Sequence, residues 1–128
     1  MRDIMISIRN DLVAEAVIRS LEETGEFNPF KLLFEREDEV TRECKVQMPE
    51  MLLAEVAFGQ RTDLKTRLNE AKTIRETVPG CKIVFLCDEN SAPDIAHGVM
   101  QAKKDGLIDN FFYSSVGSRY LTAALTAL

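Results

Sequence analysis

The stretch Met51-Leu52-Leu53-Ala54-Glu55-Val56-Ala57-Phe58 is apolar everywhere except at Glu55. A run this short and continuous, entered just after Pro49, reads as a strand buried on both faces. Strands of that kind belong to parallel sheets, whose crossover connections lay helices on either side. Cys81-Lys82-Ile83-Val84-Phe85-Leu86-Cys87 is nearly as continuous and reads the same way. Between the two, residues 63–77 carry Leu64, Leu68, Ala71 and Ile74 at helical spacing and stop at Pro79-Gly80.

Outward from this centre the same alternation continues. Ile4-Met5-Ile6-Ser7-Ile8 has strand length, and Asp11 stands where a helix N-cap would. Val13, Val17 and Leu21 then follow a 3.6-residue period up to Thr24-Gly25. Phe30-Lys31-Leu32-Leu33-Phe34 reads as the second strand, and residues 36–48 as a thin, charged surface helix ended by Pro49. Past the fourth strand, Ser91-Ala92-Pro93-Asp94 opens a helix that reaches about Lys104 and is closed by Gly106. Residues 108–113 form a fifth strand and 117–128 a last helix. The order βαβαβαβαβα predicts one α/β domain over residues 1–128, a flavodoxin-like (βα)5 three-layer sandwich with strand order 2-1-3-4-5.

Bulk properties narrow the function classes. The 128 residues suit one domain, and 45% apolar content is enough for a core. With 21 acidic and 16 basic residues the net charge is −5, which gives no electrostatic reason to expect direct nucleic-acid or anionic-membrane binding. No apolar run reaches membrane-spanning length, and the N-terminus does not read as a signal peptide. Cys44, Cys81 and Cys87 are scattered, with no Cys-x-x-Cys spacing, so neither a zinc site nor a disulfide framework is indicated and a reduced, cytoplasmic setting is expected. A single histidine, His97, leaves little for metal binding or histidine-based acid–base chemistry.

In an open α/β sheet a ligand site lies beyond the carboxyl ends of the central strands. Those ends are Ile8-Arg9-Asn10, Glu55-Val56, Cys87-Asp88 and Tyr113-Ser114-Ser115. Residues 8–12 hold no glycine, so a flavin- or nucleotide-phosphate loop after the first strand is disfavoured.

Over essentially its whole length the chain resembles the receiver domains of bacterial response regulators. Pro49-Glu50-Met51-Leu52-Leu53-Ala54-Glu55 is similar to the family's third-strand context, with Glu55 in the place of the phosphoacceptor aspartate. Asp109-Asn110-Phe111-Phe112-Tyr113-Ser114-Ser115-Val116 resembles its fifth strand, with Ser114 where a lysine is expected. Cys87 falls at the Ser/Thr position, and Ile8 and Arg9 at the Mg²⁺-binding acid pair.

The resemblance thus implies a scaffold that is kept and a phosphoacceptor pocket whose chemistry is lost. Mg²⁺ is a hard cation that needs carboxylate oxygens, and Ile8 with Arg9 removes negative charge and adds positive. Glutamate is one methylene longer than aspartate, and misplacement by about an ångström can cost roughly a hundredfold in rate. Without the lysine a transferred phosphoryl group lacks its fixed counter-charge. The reading is a non-enzymatic receiver-like module with no catalytic residue, no metal and no cofactor, acting through protein contacts. Its competitor is a conventional receiver phosphorylated by an altered route, controlling transcription through an output domain.

Several residues carry two readings. Glu55 is either a fixed mimic of an acidified aspartate or a partly buried carboxylate in an ion pair with Arg9. Cys87 reads as a small buried hydrophobe more than as a reactive thiol. Tyr113 is a candidate switch aromatic by resemblance. Receivers dimerise or dock effectors through helix four, strand five and helix five, so Val99, Tyr120, Leu121 and Leu125 are candidate interface residues for a homodimer, a protein partner or an output domain. The resemblance also implies that the chain stands alone or is a domain excised from a longer regulator.

Overall fold

The computed structural model describes residues 1–128 except 34, 35, 58, 60 and 89–92. Its elements are β1 (Arg2–Ser7), α1 (Asp11–Thr24), β2 (Phe27–Lys31), α2 (Glu39–Gln47), β3 (Met51–Val56), α3 (Leu64–Thr77), β4 (Lys82–Cys87), α4 (Pro93–Lys104), β5 (Asn110–Tyr113) and α5 (Ser118–Ala127). The sheet is parallel throughout and runs β2-β1-β3-β4-β5, the order expected from the sequence.

Strand periodicity sorts the core into two layers. Ile4, Ile6, Leu53, Val84, Leu86 and Phe112 face α1 and α5, meeting Ala14, Val17, Leu21, Leu121 and Leu125. Met5, Leu52, Ala54, Ile83 and Phe85 face the other way, against Val40 and Cys44 of α2, Ala71 and Ile74 of α3, and Val99 and Ala102 of α4. Val99, Leu121 and Leu125 are therefore core residues, buried to 0%, 5% and 0% exposure, and not the surface residues expected of an interface. They point inward because each helix must cover the sheet with its apolar stripe. Of the four candidates only Tyr120 stands out, 65% exposed with its ring edge-on to Phe112.

Several boundaries differ from the sequence reading: β1 is Arg2–Ser7 and not residues 4–8, α2 begins at Glu39 and not at 36, and β5 begins at Asn110 and not at 108. The second strand is Phe27–Lys31, not residues 30–34; Phe34 lies outside the described residues. Pro29 sits inside it, opposite Ile4 of β1. Proline is tolerated there because β2 is an edge strand, paired on one side only. The cap of α1 is Asn10, one residue before the expected Asp11. Its Oδ1 accepts from the N–H groups of Leu12 (3.1 Å) and Val13 (3.3 Å), while Asp11 adds negative charge to the first turn and pairs with Lys31. Asn10→Ala is expected to cost about 1 kcal/mol of stability, read by urea denaturation. At its other end α1 closes on Gly25, left-handed at φ 71°.

Candidate functional site

The carboxyl ends of β1, β3, β4 and β5 open into a pocket of about 480 Å³ whose walls include Arg9, Asn10, Glu55, Asp88 and Ser114. Backbone hydrogen bonds hold the strand ends in register. Asp88 N–H donates to Val56 C=O (3.4 Å) and Ser114 N–H to Cys87 C=O (2.8 Å). Thr62, almost fully buried, closes the loop after β3 through Ala57 N–H to Thr62 C=O (3.0 Å) and Thr62 Oγ1 to Ala57 C=O (3.3 Å).

Of the five residues assigned to this pocket from sequence, Arg9, Glu55 and Ser114 line it. Ile8 does not. It is 0% exposed and completes the Ile4–Ile6 stripe beneath α1. Cys87 does not either, because side chains alternate along β4. Cys87 shares a face with Ile83 and Phe85 in the opposite core layer, while Leu86 and Asp88 reach the pocket. Burial pushes the Cys87 thiol up to about 12, so it is protonated and inert at neutral pH. Iodoacetamide at pH 8 is expected to leave Cys87 unmodified in the native protein and to alkylate it fully in urea, as read by peptide mass mapping. Tyr113 ends β5 at 41% exposure, its ring edge-on to Phe111.

The Arg9–Glu55 contact differs from the one expected. The Arg9 backbone N–H, not its guanidinium, donates to Glu55 Oε1. Their side chains do not form one of the ion pairs found among the described residues. The chain turns at residues 8–10 to enter α1, which aims the Arg9 amide at the end of β3.

The cation most closely built into this region is Arg67, which the sequence reading left unassigned. Its side chain is 0% exposed and lies under the carboxyl ends of β1 and β3. Nε donates to Glu55 C=O (2.7 Å), Nη2 to Ser7 C=O (2.9 Å), and Nη1 to both Ser7 Oγ (2.9 Å) and Glu70 Oε1 (3.1 Å). One planar guanidinium thereby joins two neighbouring strands and its own helix. Burial pulls the Arg67 pKa down, opposed by Glu70, and pushes the Glu70 carboxyl up, opposed by Arg67. The signal was in the sequence: Arg67 lies three residues after Leu64 and four before Ala71, inside the apolar stripe of α3. A charge at a buried position requires partners.

Among the described residues no three His, Cys, Asp or Glu side chains converge closely enough to hold a metal ion. The pocket offers the carboxylates of Glu55 and Asp88 together with Arg9, and the position before Arg9 is the buried, apolar Ile8. Mg²⁺ needs a fuller shell of oxygens and no competing cation.

No protein-family model and no curated protein sequence matches the chain. Solved structures do. A DNA-binding response regulator of the LuxR family from Staphylococcus aureus superposes with a TM-score of 0.78 at 11% identity, covering 99% of this chain and 98% of that one. The signal receiver domain of the response regulator NarL from Mycobacterium tuberculosis gives 0.75 at 13% identity, covering 98% and 94%. RcsB from Salmonella enterica serovar Typhimurium, bound to promoter rprA in the presence of phosphomimetic BeF3-, gives 0.75 at 20% identity, covering 98% of this chain and 67% of that one. Element order, sheet order and near-complete coverage agree: this chain has the fold of the response regulator receiver domains.

Proposed function

We propose that the chain is a receiver-like signalling module of a two-component-type regulator that works through protein contacts and does not accept a phosphoryl group. The observation that carries this reading is Glu55. It takes the phosphoacceptor's place by resemblance, its Oε1 is engaged by the Arg9 amide, and its carbonyl is tied to the buried Arg67. A carboxylate so held is poorly placed for in-line attack on phosphorus. The pocket's donor set supports the same reading, since it does not suit Mg²⁺. On this reading the domain is not an enzyme, resides in the cytoplasm, and signals to an output domain or a separate protein. The partner class is drawn from the neighbours described as DNA-binding and promoter-bound. Among the described residues no helix is long and apolar enough to cross a membrane.

A second reading keeps the phosphorelay: a receiver phosphorylated by an altered route and controlling transcription. The two carboxylates in the pocket, Glu55 and Asp88, speak for it. Incubation with acetyl phosphate and Mg²⁺, followed by intact-mass measurement under neutral conditions, separates the two. The expected spectrum shows the unmodified mass alone. A phosphoryl adduct that disappears in Glu55→Gln would establish the second reading.

A further inference from the structure

At the amino ends of the strands, away from the pocket, two thiols come together. Helix α2 leads into β3 through Met48, whose N–H donates to Cys44 C=O (2.9 Å). β4 starts beside that turn: Lys82 is paired with Met51, and Lys82 N–H donates to Glu50 C=O (2.9 Å). Cys44, in the last turn of α2, and Cys81, just before β4, are thereby brought to the same end of one core layer, at 0% and 1% exposure. Their side chains are hydrogen-bonding partners, with Cys44 donating and Cys81 accepting. Cys87 belongs to the same layer but ends β4 at the opposite side of the sheet.

The two thiols are not equivalent. The hydrogen bond from Cys44 pulls the Cys81 thiol below its ordinary value, against burial and with help from the Arg75 guanidinium. The same hydrogen bond, together with burial, pushes the Cys44 thiol up. One sulfur disposed to ionise, with a protonated thiol at its side, is the arrangement of an attacking and a resolving cysteine.

We propose that Cys44 and Cys81 are a redox modification site, a dithiol that a peroxide converts reversibly into a disulfide joining α2 to β4. The Cys81 thiolate attacks one peroxide oxygen and the O–O bond breaks. The second oxygen leaves as hydroxide, takes up the proton that Cys81 gave up and becomes water, while Cys81 becomes a sulfenic acid. The Cys44 sulfur then attacks the Cys81 sulfur, and the sulfenic oxygen leaves as water with the Cys44 proton. The dithiol loses two electrons and two protons, and one peroxide becomes two waters. Both sulfurs are closed to solvent, so the peroxide enters when α2 lifts. That helix buries only Val40 and Cys44, so little apolar area holds it down. Its return brings Cys44 back onto Cys81 for the second step. The bond closes residues 44–81 into one loop and fixes α2 in place. In a reducing compartment such a bond is transient and sensory. The proposal stands whether or not Glu55 accepts a phosphoryl group.

Treatment of the full chain with hydrogen peroxide tests it, followed by alkylation of the remaining thiols in urea and peptide mapping without reductant. The expected product is a monomeric chain in which the Cys44 and Cys81 peptides are linked and Cys87 is alkylated. Dithiothreitol should restore all three thiols. In Cys44→Ala the Cys81 sulfenic acid has no resolving thiol and is expected to be trapped by dimedone. In Cys81→Ala, trapping at Cys44 is expected to be at least about tenfold lower, because that thiol stays protonated. If either alanine variant perturbs the fold, the serine variant gives the same readout, and mapping of the unsubstituted chain needs no variant. Three free thiols after treatment overturn the proposal. So does a link through Cys87 or between chains, or equal trapping at Cys44 and Cys81.

Discussion

Replacing Arg67 by methionine is expected to destabilise the domain by about 3–5 kcal/mol, the largest effect of any single substitution outside the apolar core. Methionine fills much of the same space, so the loss is not mainly one of packing. It comes from the groups left behind. Ser7 Oγ, the carbonyls of Ser7 and Glu55, and the Glu70 carboxylate all lose this donor in a region largely shielded from water. Each orphaned buried acceptor costs about 1–3 kcal/mol, with more for the charged one. Arg67→Lys keeps the charge but supplies a point donor where a planar fork spans two strands, so it is expected to recover only part of the loss. Double substitution with Glu70→Gln should cost less than the two single changes summed, because it removes the stranded charge. Urea denaturation of the unsubstituted protein and the four variants reads all of this. A loss below about 1 kcal/mol for Arg67→Met, the range of a surface pair, would show that the guanidinium does not hold the strand ends.

Asp109→Ala is the second large effect, expected at about 2–3 kcal/mol. Asp109 Oδ2 accepts from both Arg75 Nη2 (2.7 Å) and Ile83 N–H (2.7 Å), and Asp109 N–H donates to Ile83 C=O (2.7 Å). β5 begins only at Asn110, paired with Val84, so the Ile83 amide has no β5 strand residue opposite it and takes a side chain instead. Alanine leaves that buried amide without its acceptor and leaves Arg75 with the Leu107 carbonyl (3.1 Å). Asparagine keeps an acceptor without the charge and should cost about half as much. Hydrogen exchange gives a local readout: the Ile83 amide and the β5 amides should exchange faster in Asp109→Ala, while the amides of β1 and β2 change least. Uniform loss of protection across the sheet would mean that Asp109 serves the whole fold and not the attachment of β5.

Much of the fold was legible because its central strands are unambiguous. Runs such as 51–58 and 81–87 leave little choice of period, and the helical crossovers between them force a parallel sheet. The second strand was harder to read. An edge strand that is only partly covered carries a weaker apolar signal, and Pro29 looks like a strand breaker until its place at the edge is known. At the site, Glu55, Arg9 and Ser114 line one pocket. Cys87 turns away from it, because side chains alternate along β4 and the last residue of that strand shares the face of Ile83 and Phe85. Arg67 was missed for a different reason. Its partners are two carbonyls, a hydroxyl and the Glu70 carboxylate, groups that every chain carries in abundance, and no motif in the sequence announces them.

Pro29 has a consequence beyond its own strand. The two edges of a sheet are where molecules at high concentration join by adding strand to strand. Here one edge is β2, five residues long and interrupted by a residue with no amide hydrogen, and the other is β5, only four residues long. Neither offers a long unbroken template. Growth of this sheet into fibrillar aggregates by edge-to-edge pairing is disfavoured from both sides.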